Sequence, residues 1–151
     1  MNESTNCEVK IVKTSFDSRH QIRLDFVDFN LSTPPTANTL VCENDRLIVT
    51  SKSSSDLTVC GLYSDEHLYY TLDDDSDVAI IKFITSNIDY DRSWKIKITR
   101  VDPSEEIPIG CLQYYPNATG ILQTTKLSVN GQFLANTDFK ICIKRAESKR
   151  S

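Results

Sequence analysis

The nine residues Gln21-Ile22-Arg23-Leu24-Asp25-Phe26-Val27-Asp28-Phe29 alternate apolar with charged or polar side chains. That period places Ile22, Leu24 and Phe26 on one face of an extended strand and Arg23 and Asp25 on the other. Working outward, Glu8-Val9-Lys10-Ile11-Val12-Lys13 repeats the pattern, with Val9 and Ile11 on one side. Leu47–Thr50, His67–Tyr70, Val78–Phe83 and Trp94–Ile98 add four more strand-length segments. Ser32–Thr36, Ser51–Asp56 and Asp73–Asp77 lie between them and are rich in Ser, Pro and Asp, the residues of turns. Short strands at near-regular spacing, without an amphipathic helical segment, predict an all-β protein built as an antiparallel sandwich. One buried and one wet face per sheet accounts for the alternation.

The bulk properties exclude some classes. A net charge of −4 over 151 residues is a poor basis for binding nucleic acid, which calls for a basic face. No apolar run approaches the roughly 20 residues of a spanning helix; the longest, Val78–Ile84, is broken by Lys82. The opening Met1-Asn2-Glu3-Ser4-Thr5 lacks the basic-then-apolar order of a signal peptide. Five cysteines and the acceptor tripeptides at Asn2, Asn30 and Asn117 point the other way, to a secreted, extracellular glycoprotein. We read the missing signal as truncation.

Asp102-Pro103-Ser104-Glu105-Glu106-Ile107-Pro108 reads as a linker, and the organisation expected is a first domain at 7–101, a linker at 102–109, a partial second domain at 110–144 and a basic tail at 145–151. The second block, opened by Cys111-Leu112-Gln113-Tyr114-Tyr115, covers only about 40 residues, a size at which a core usually needs disulfides or a neighbour.

The first block resembles a CUB domain, specifically the insect-type proteins with paired CUB domains. Cys7-Glu8-Val9-Lys10-Ile11 is similar to the family's second cysteine and the strand after it. Ile22–Leu31 is similar to the central strand, Cys42-Glu43-Asn44-Asp45-Arg46-Leu47-Ile48-Val49 and Val59-Cys60-Gly61 to a disulfide pair with its strands, and Glu66–Tyr70 and Trp94–Ile98 to the strands beyond. Gly110–Tyr115, Gly120-Ile121, Leu134-Ala135-Asn136 and Ile141-Cys142-Ile143 resemble the opening of a second copy. The resemblance implies a CUB-like jelly-roll sandwich, incomplete at both ends, with Cys42 bonded to Cys60 and Cys111 to Cys142. It implies that Cys7 lost an upstream partner, a buried free thiol being the alternative.

The family's calcium site resembles a Glu at the end of the central strand, an Asp three residues after a cysteine and an Asp in a late loop. Here those positions fall near Ser32, at Asp45 and near Ser86 or Asn87, so the pattern is eroded to one carboxylate and no metal or other cofactor is expected. Asp73, Asp74, Asp75 and Asp77 read as a solvated hairpin tip. His67 stands where the family places a structural histidine. His20 and Pro103 stand where relatives carry two further cysteines. No catalytic motif is present. Phe26, Tyr69, Phe83 and Trp94 read as core aromatics, whereas one of the adjacent Tyr114 and Tyr115 must face away from any core. The function implied is a non-catalytic, extracellular protein- or glycan-recognition module, with no membrane span and no nucleic-acid partner. A structural spacer or regulatory segment of a larger secreted protein, or a truncated product without activity, is the alternative.

Overall fold

The computed structural model describes residues 6–12, 20–32, 41–52, 54–72, 78–117, 119–120 and 140–145. Among the described residues nine strands run in order: β1 (Asn6–Val12), β2 (His20–Asn30), β3 (Arg46–Ser51), β4 (Leu57–Val59), β5 (Glu66–Leu72), β6 (Val78–Ile84), β7 (Ser93–Arg100), β8 (Cys111–Tyr115) and β9 (Lys140–Ile143). One 3-10 turn, Pro103–Glu105, precedes β8. The first seven strands form two antiparallel sheets, ordered β1-β6-β3-β4 and β5-β2-β7.

The alternation in β2 buries Ile22, Leu24 and Phe26 to 2% exposure or less. The β2–β7 register then shifts between Phe26 and Asp28. That bulge inserts one extra residue, Val27, which is exposed, and resets the phase so that Phe29 and Leu31 turn inward. From the other sheet, Leu47, Val49, Val59, Ala79, Ile81 and Phe83 meet them in a single core. Phe26, Phe29 and Tyr63 interlock there, with Phe26 and Phe29 edge to face at 5.0 Å.

Two of the expected core aromatics lie elsewhere. Tyr69 points to the outer face of β5, because Leu68, Tyr70 and Leu72 take the inward positions. Trp94 stacks on Phe83 at 4.8 Å between the sheets yet stays 40% exposed, since β7 is an edge strand. β4, only 3 residues long, is too short to carry an alternation that a sequence reading could detect.

Cys42 is bonded to Cys60, and Cys111 to Cys142. The second bridge lies in a separate two-stranded sheet of β8 and β9, which pair in parallel rather than in the antiparallel sense expected for the chain as a whole. The segment 102–109 is docked onto the sandwich. Ile107 is buried, its N–H donates to Gln21 Oε1 and its C=O accepts from Gln21 Nε2, both at 2.9 Å. β8 is held beside β5 through the buried Gln113, whose Nε2 donates to Glu66 Oε2 at 3.0 Å. The Asp73–Asp77 run, residues 121–139 and the tail beyond Arg145 lie outside the described residues.

Candidate functional site

At one end of the sandwich three chain segments converge on one carboxylate. Asp45, immediately before β3, has no exposed surface. Its Oδ2 accepts from the backbone N–H of Ser32, just past β2, at 3.1 Å, and from Arg92 Nε at 2.8 Å. Its Oδ1 accepts from Ser86 N–H at 2.9 Å, Ser86 Oγ at 3.2 Å and a terminal nitrogen of Arg92 at 3.1 Å. Arg92 closes the circuit by donating to the carbonyls of Ser86, Ile88 and Tyr90 at 2.9, 3.2 and 3.3 Å, which ties the β6–β7 connection around its own guanidinium. Burial alone pushes the Asp45 carboxyl upward. The bonds from Arg92, Ser86 and Ser32 outweigh it and hold the group at about 2.

The positions matched to the calcium pattern therefore do meet, since Ser32 and Ser86 both bond Asp45. They supply hydroxyls in place of two carboxylates, and the positive charge facing Asp45 belongs to Arg92. A hard cation needs several oxygen ligands, and here both oxygens of the one carboxylate are occupied by a guanidinium. The residues present do not fit a calcium ion. Among the described residues no group of three or more His, Cys, Asp or Glu side chains could hold a metal. Ser32 Oγ is buried without a partner beside this cluster.

Asn30 belongs to the same end. Its Nδ2 donates to the Asp91 carbonyl at 3.0 Å and its Oδ1 accepts from Tyr90 Oη at 2.7 Å, so the acceptor nitrogen of that glycosylation candidate is engaged. Asn117, in contrast, is exposed, and Asn2 lies outside the described residues.

A second concave surface lies on the outer face of β5-β2-β7. Arg23, Tyr69, Lys97, Thr99, Glu106 and Tyr114 are among the residues that line it, around about 850 Å³ of open space. Arg23 is fixed by Asp25 at 2.7 Å and lies 5.7 Å from the centre of the Tyr69 ring. Beside it, His67 contacts the Tyr114 carbonyl at 3.2 Å and the Tyr115 ring edge to face at 5.3 Å, so both tyrosines of the pair are half-buried against β5. Burial first, and the neighbouring Arg23 charge second, lower the His67 pKa, against the raising effect of the Tyr114 carbonyl. His20 is buried next to Arg100.

Cys7 is exposed, which sets aside a buried thiol. It stands on β1 opposite Phe83.

Sequence reasoning isolated Asp45 but missed Arg92, which is 47 residues away in a loop without periodicity. The usable signal was the pattern's own deficit, because a lone inward carboxylate stripped of its companions needs a countercharge.

These features define a disulfide-braced, jelly-roll-type β-sandwich whose loops gather at one end. The chain belongs to the CUB family: the model of the CUB domain matches residues 1–98. Comparison with curated proteins returns no match, and comparison with solved structures returns none. CUB domains are in general extracellular-type binding modules that mediate protein interactions.

Proposed function

We propose that this chain is a non-catalytic, secreted recognition module that takes a protein or glycan ligand at the loop end organised by Asp45 and Arg92. The observation that carries the reading is the buried ion pair itself. It joins Ser32, Asp45 and the 86–92 loop, three segments far apart in sequence, into one rigid surface. Loops fixed before binding lose little conformational entropy on capture, which is how a sandwich scaffold gains affinity. Around the pair, Glu43, Asn87 and Asp91 are exposed and supply polar contacts.

The test is a panel of extracellular proteins and immobilised glycans screened against the full chain. Variants Glu43→Arg and Asn87→Arg alter the loop end, and Lys97→Glu alters the sheet face. Binding abolished by the loop-end changes and retained by Lys97→Glu supports the reading. Binding that survives both loop-end changes overturns the location, and no ligand in the panel favours the spacer role.

A further inference from the structure

Both sheets end in an unpaired strand on the same flank. β1 is the edge of one sheet and β7 the edge of the other, and neither has a further neighbour among the described residues. Phe83 of β6 stacks on Trp94 of β7, so those two strands lie across the sandwich from one another. β1 is one strand further out than β6, since Cys7 pairs with Phe83, Val9 with Ile81 and Ile11 with Ala79. Ala79, Ile81 and Phe83 face the core, and their partners Cys7, Val9 and Ile11 lie on the same side of the sheet. Among the described residues no strand of the second sheet stands opposite Cys7 and Val9, whereas Ile11 packs against the core. Among the described residues that part of the inner face has no cover: Cys7 is exposed, and Val9, Trp94 and Ile98 are 42%, 40% and 38% exposed.

The chemistry of a fitting partner can be read from β7. Its unpaired edge offers backbone N–H and C=O groups over 8 residues, a length of about 26 Å. Trp94, Ile96 and Ile98 pair with the inward Phe29, Phe26 and Leu24; Lys95 and Lys97 pair with the outward Asp28 and Asp25. Asp25 is bonded to Arg23, and neither lysine forms an ion pair among the described residues. Two edge lysines oppose pairing of β7 with a second copy of itself, which would bring like charges together.

We propose that this flank accepts an extended segment of a partner protein, paired as a strand along the free edge of β7. Its inward side chains are apolar and cover Val9, Trp94 and Ile98; its outward side chains are acidic and meet Lys95 and Lys97. This is strand addition, in which main-chain bonds supply affinity and alternate side chains supply selectivity. It is independent of the loop-end reading and uses a different surface.

The test exploits two built-in reporters. Trp94 is the sole tryptophan, and Cys7 is a free thiol on the uncovered face. The probes are an eight-residue peptide alternating Glu or Asp with Val or Ile, its counterpart with Lys in the acidic places, and the acidic peptide with two central prolines. The acidic peptide is expected to shift Trp94 emission to the blue saturably and to slow alkylation of Cys7 by iodoacetamide at least tenfold. The proline peptide does neither. Lys95→Glu/Lys97→Glu reverses the preference to the basic peptide by at least tenfold, with the far-ultraviolet spectrum of the unbound chain unchanged. If that variant fails to fold, the acidic-against-basic comparison on the unaltered chain decides. Equal binding of the acidic and basic peptides, or binding of the proline peptide, overturns the proposal. So does a Cys7 that resists alkylation in the unbound chain, since the flank is then covered by the chain itself.

Discussion

Replacing Arg92 by Ala leaves the Asp45 carboxylate with no exposed surface and without its countercharge. Breaking one side of a buried pair costs about 3–5 kcal/mol, and Arg92 also takes with it the bonds to the Ser86, Ile88 and Tyr90 carbonyls. At pH 7 the variant should lose about that much in urea unfolding. Lys at 92 keeps the charge but not the planar fork, so it recovers only part of the loss. Asp45→Asn combined with Arg92→Ala should be more stable than Arg92→Ala alone, because no charge is then stranded; the double-mutant cycle isolates the coupling.

The same pair dictates a pH signature. In the folded chain the Asp45 carboxyl titrates at about 2 rather than 3.8, and at about 1.4 kcal/mol per pH unit this is worth about 2 kcal/mol. A depressed carboxyl stabilises fully above about pH 4, and its contribution fades as pH falls toward about 2. In Arg92→Ala the largest lowering bond is gone, so burial weighs more heavily against the remaining bonds from Ser86 and Ser32, the carboxyl rises and the loss of stability on acidification shrinks. The gap between the two proteins should therefore narrow from pH 7 to pH 3. A gap under about 1 kcal/mol at neutral pH, or one unchanged across that range, would falsify the assignment of Arg92 as the element that closes the loop end.

Gln21→Leu should cost about 2 kcal/mol, because it strands the buried N–H and C=O of Ile107, and hydrogen exchange at Ile107 should accelerate while that at Leu24 does not. Removing the Cys42–Cys60 bridge as a double Ser variant should cost about 3 kcal/mol for a loop closed across 18 residues, read by chemical unfolding. His67 is depressed, so its share of stability is present above its ordinary value near 6.5 and is lost as pH falls below it. Acidification from pH 7 to 5 should loosen β8 from β5, seen in exchange at Tyr114 and Tyr115, and His67→Gln should abolish that step.

The sandwich was legible wherever a strand alternates. β2, β3, β5, β6 and β7 all contain segments read directly from apolar period, because each has one face in the core. The exceptions have local causes. The Tyr69-Tyr70 pair holds two aromatics on opposite faces, and hydrophobicity alone does not say which one enters; Leu68 and Leu72 in phase with Tyr70 settle it. The acidic, proline-bearing stretch 102–108 has the composition of a free linker, yet Ile107 reaches across 86 residues to the amide of Gln21. A polar side chain that satisfies a distant backbone leaves no periodic trace. Arg92 escaped for the same reason, while Asp45, three residues after a cysteine, was carried by its spacing.

An arginine and a metal ion can draw the same loops together, but they answer differently to solvent. Arg92 belongs to the loop it organises, so its effective concentration at Asp45 is set by the chain, whereas an ion's contribution grows with its concentration relative to its dissociation constant. A site with a dissociation constant of about 0.1 mM would stabilise the fold by about 2.7 kcal/mol in 10 mM calcium. We expect no shift in unfolding midpoint between excess chelator and 10 mM calcium for the unaltered chain. Arg92→Ala combined with Ser32→Glu and Ser86→Asp restores carboxylates at the positions that already touch Asp45, and that variant should become calcium-dependent. A calcium-dependent midpoint in the unaltered chain would mean that the guanidinium yields its place, and the rigidity attributed to the loop end would then belong to the ion.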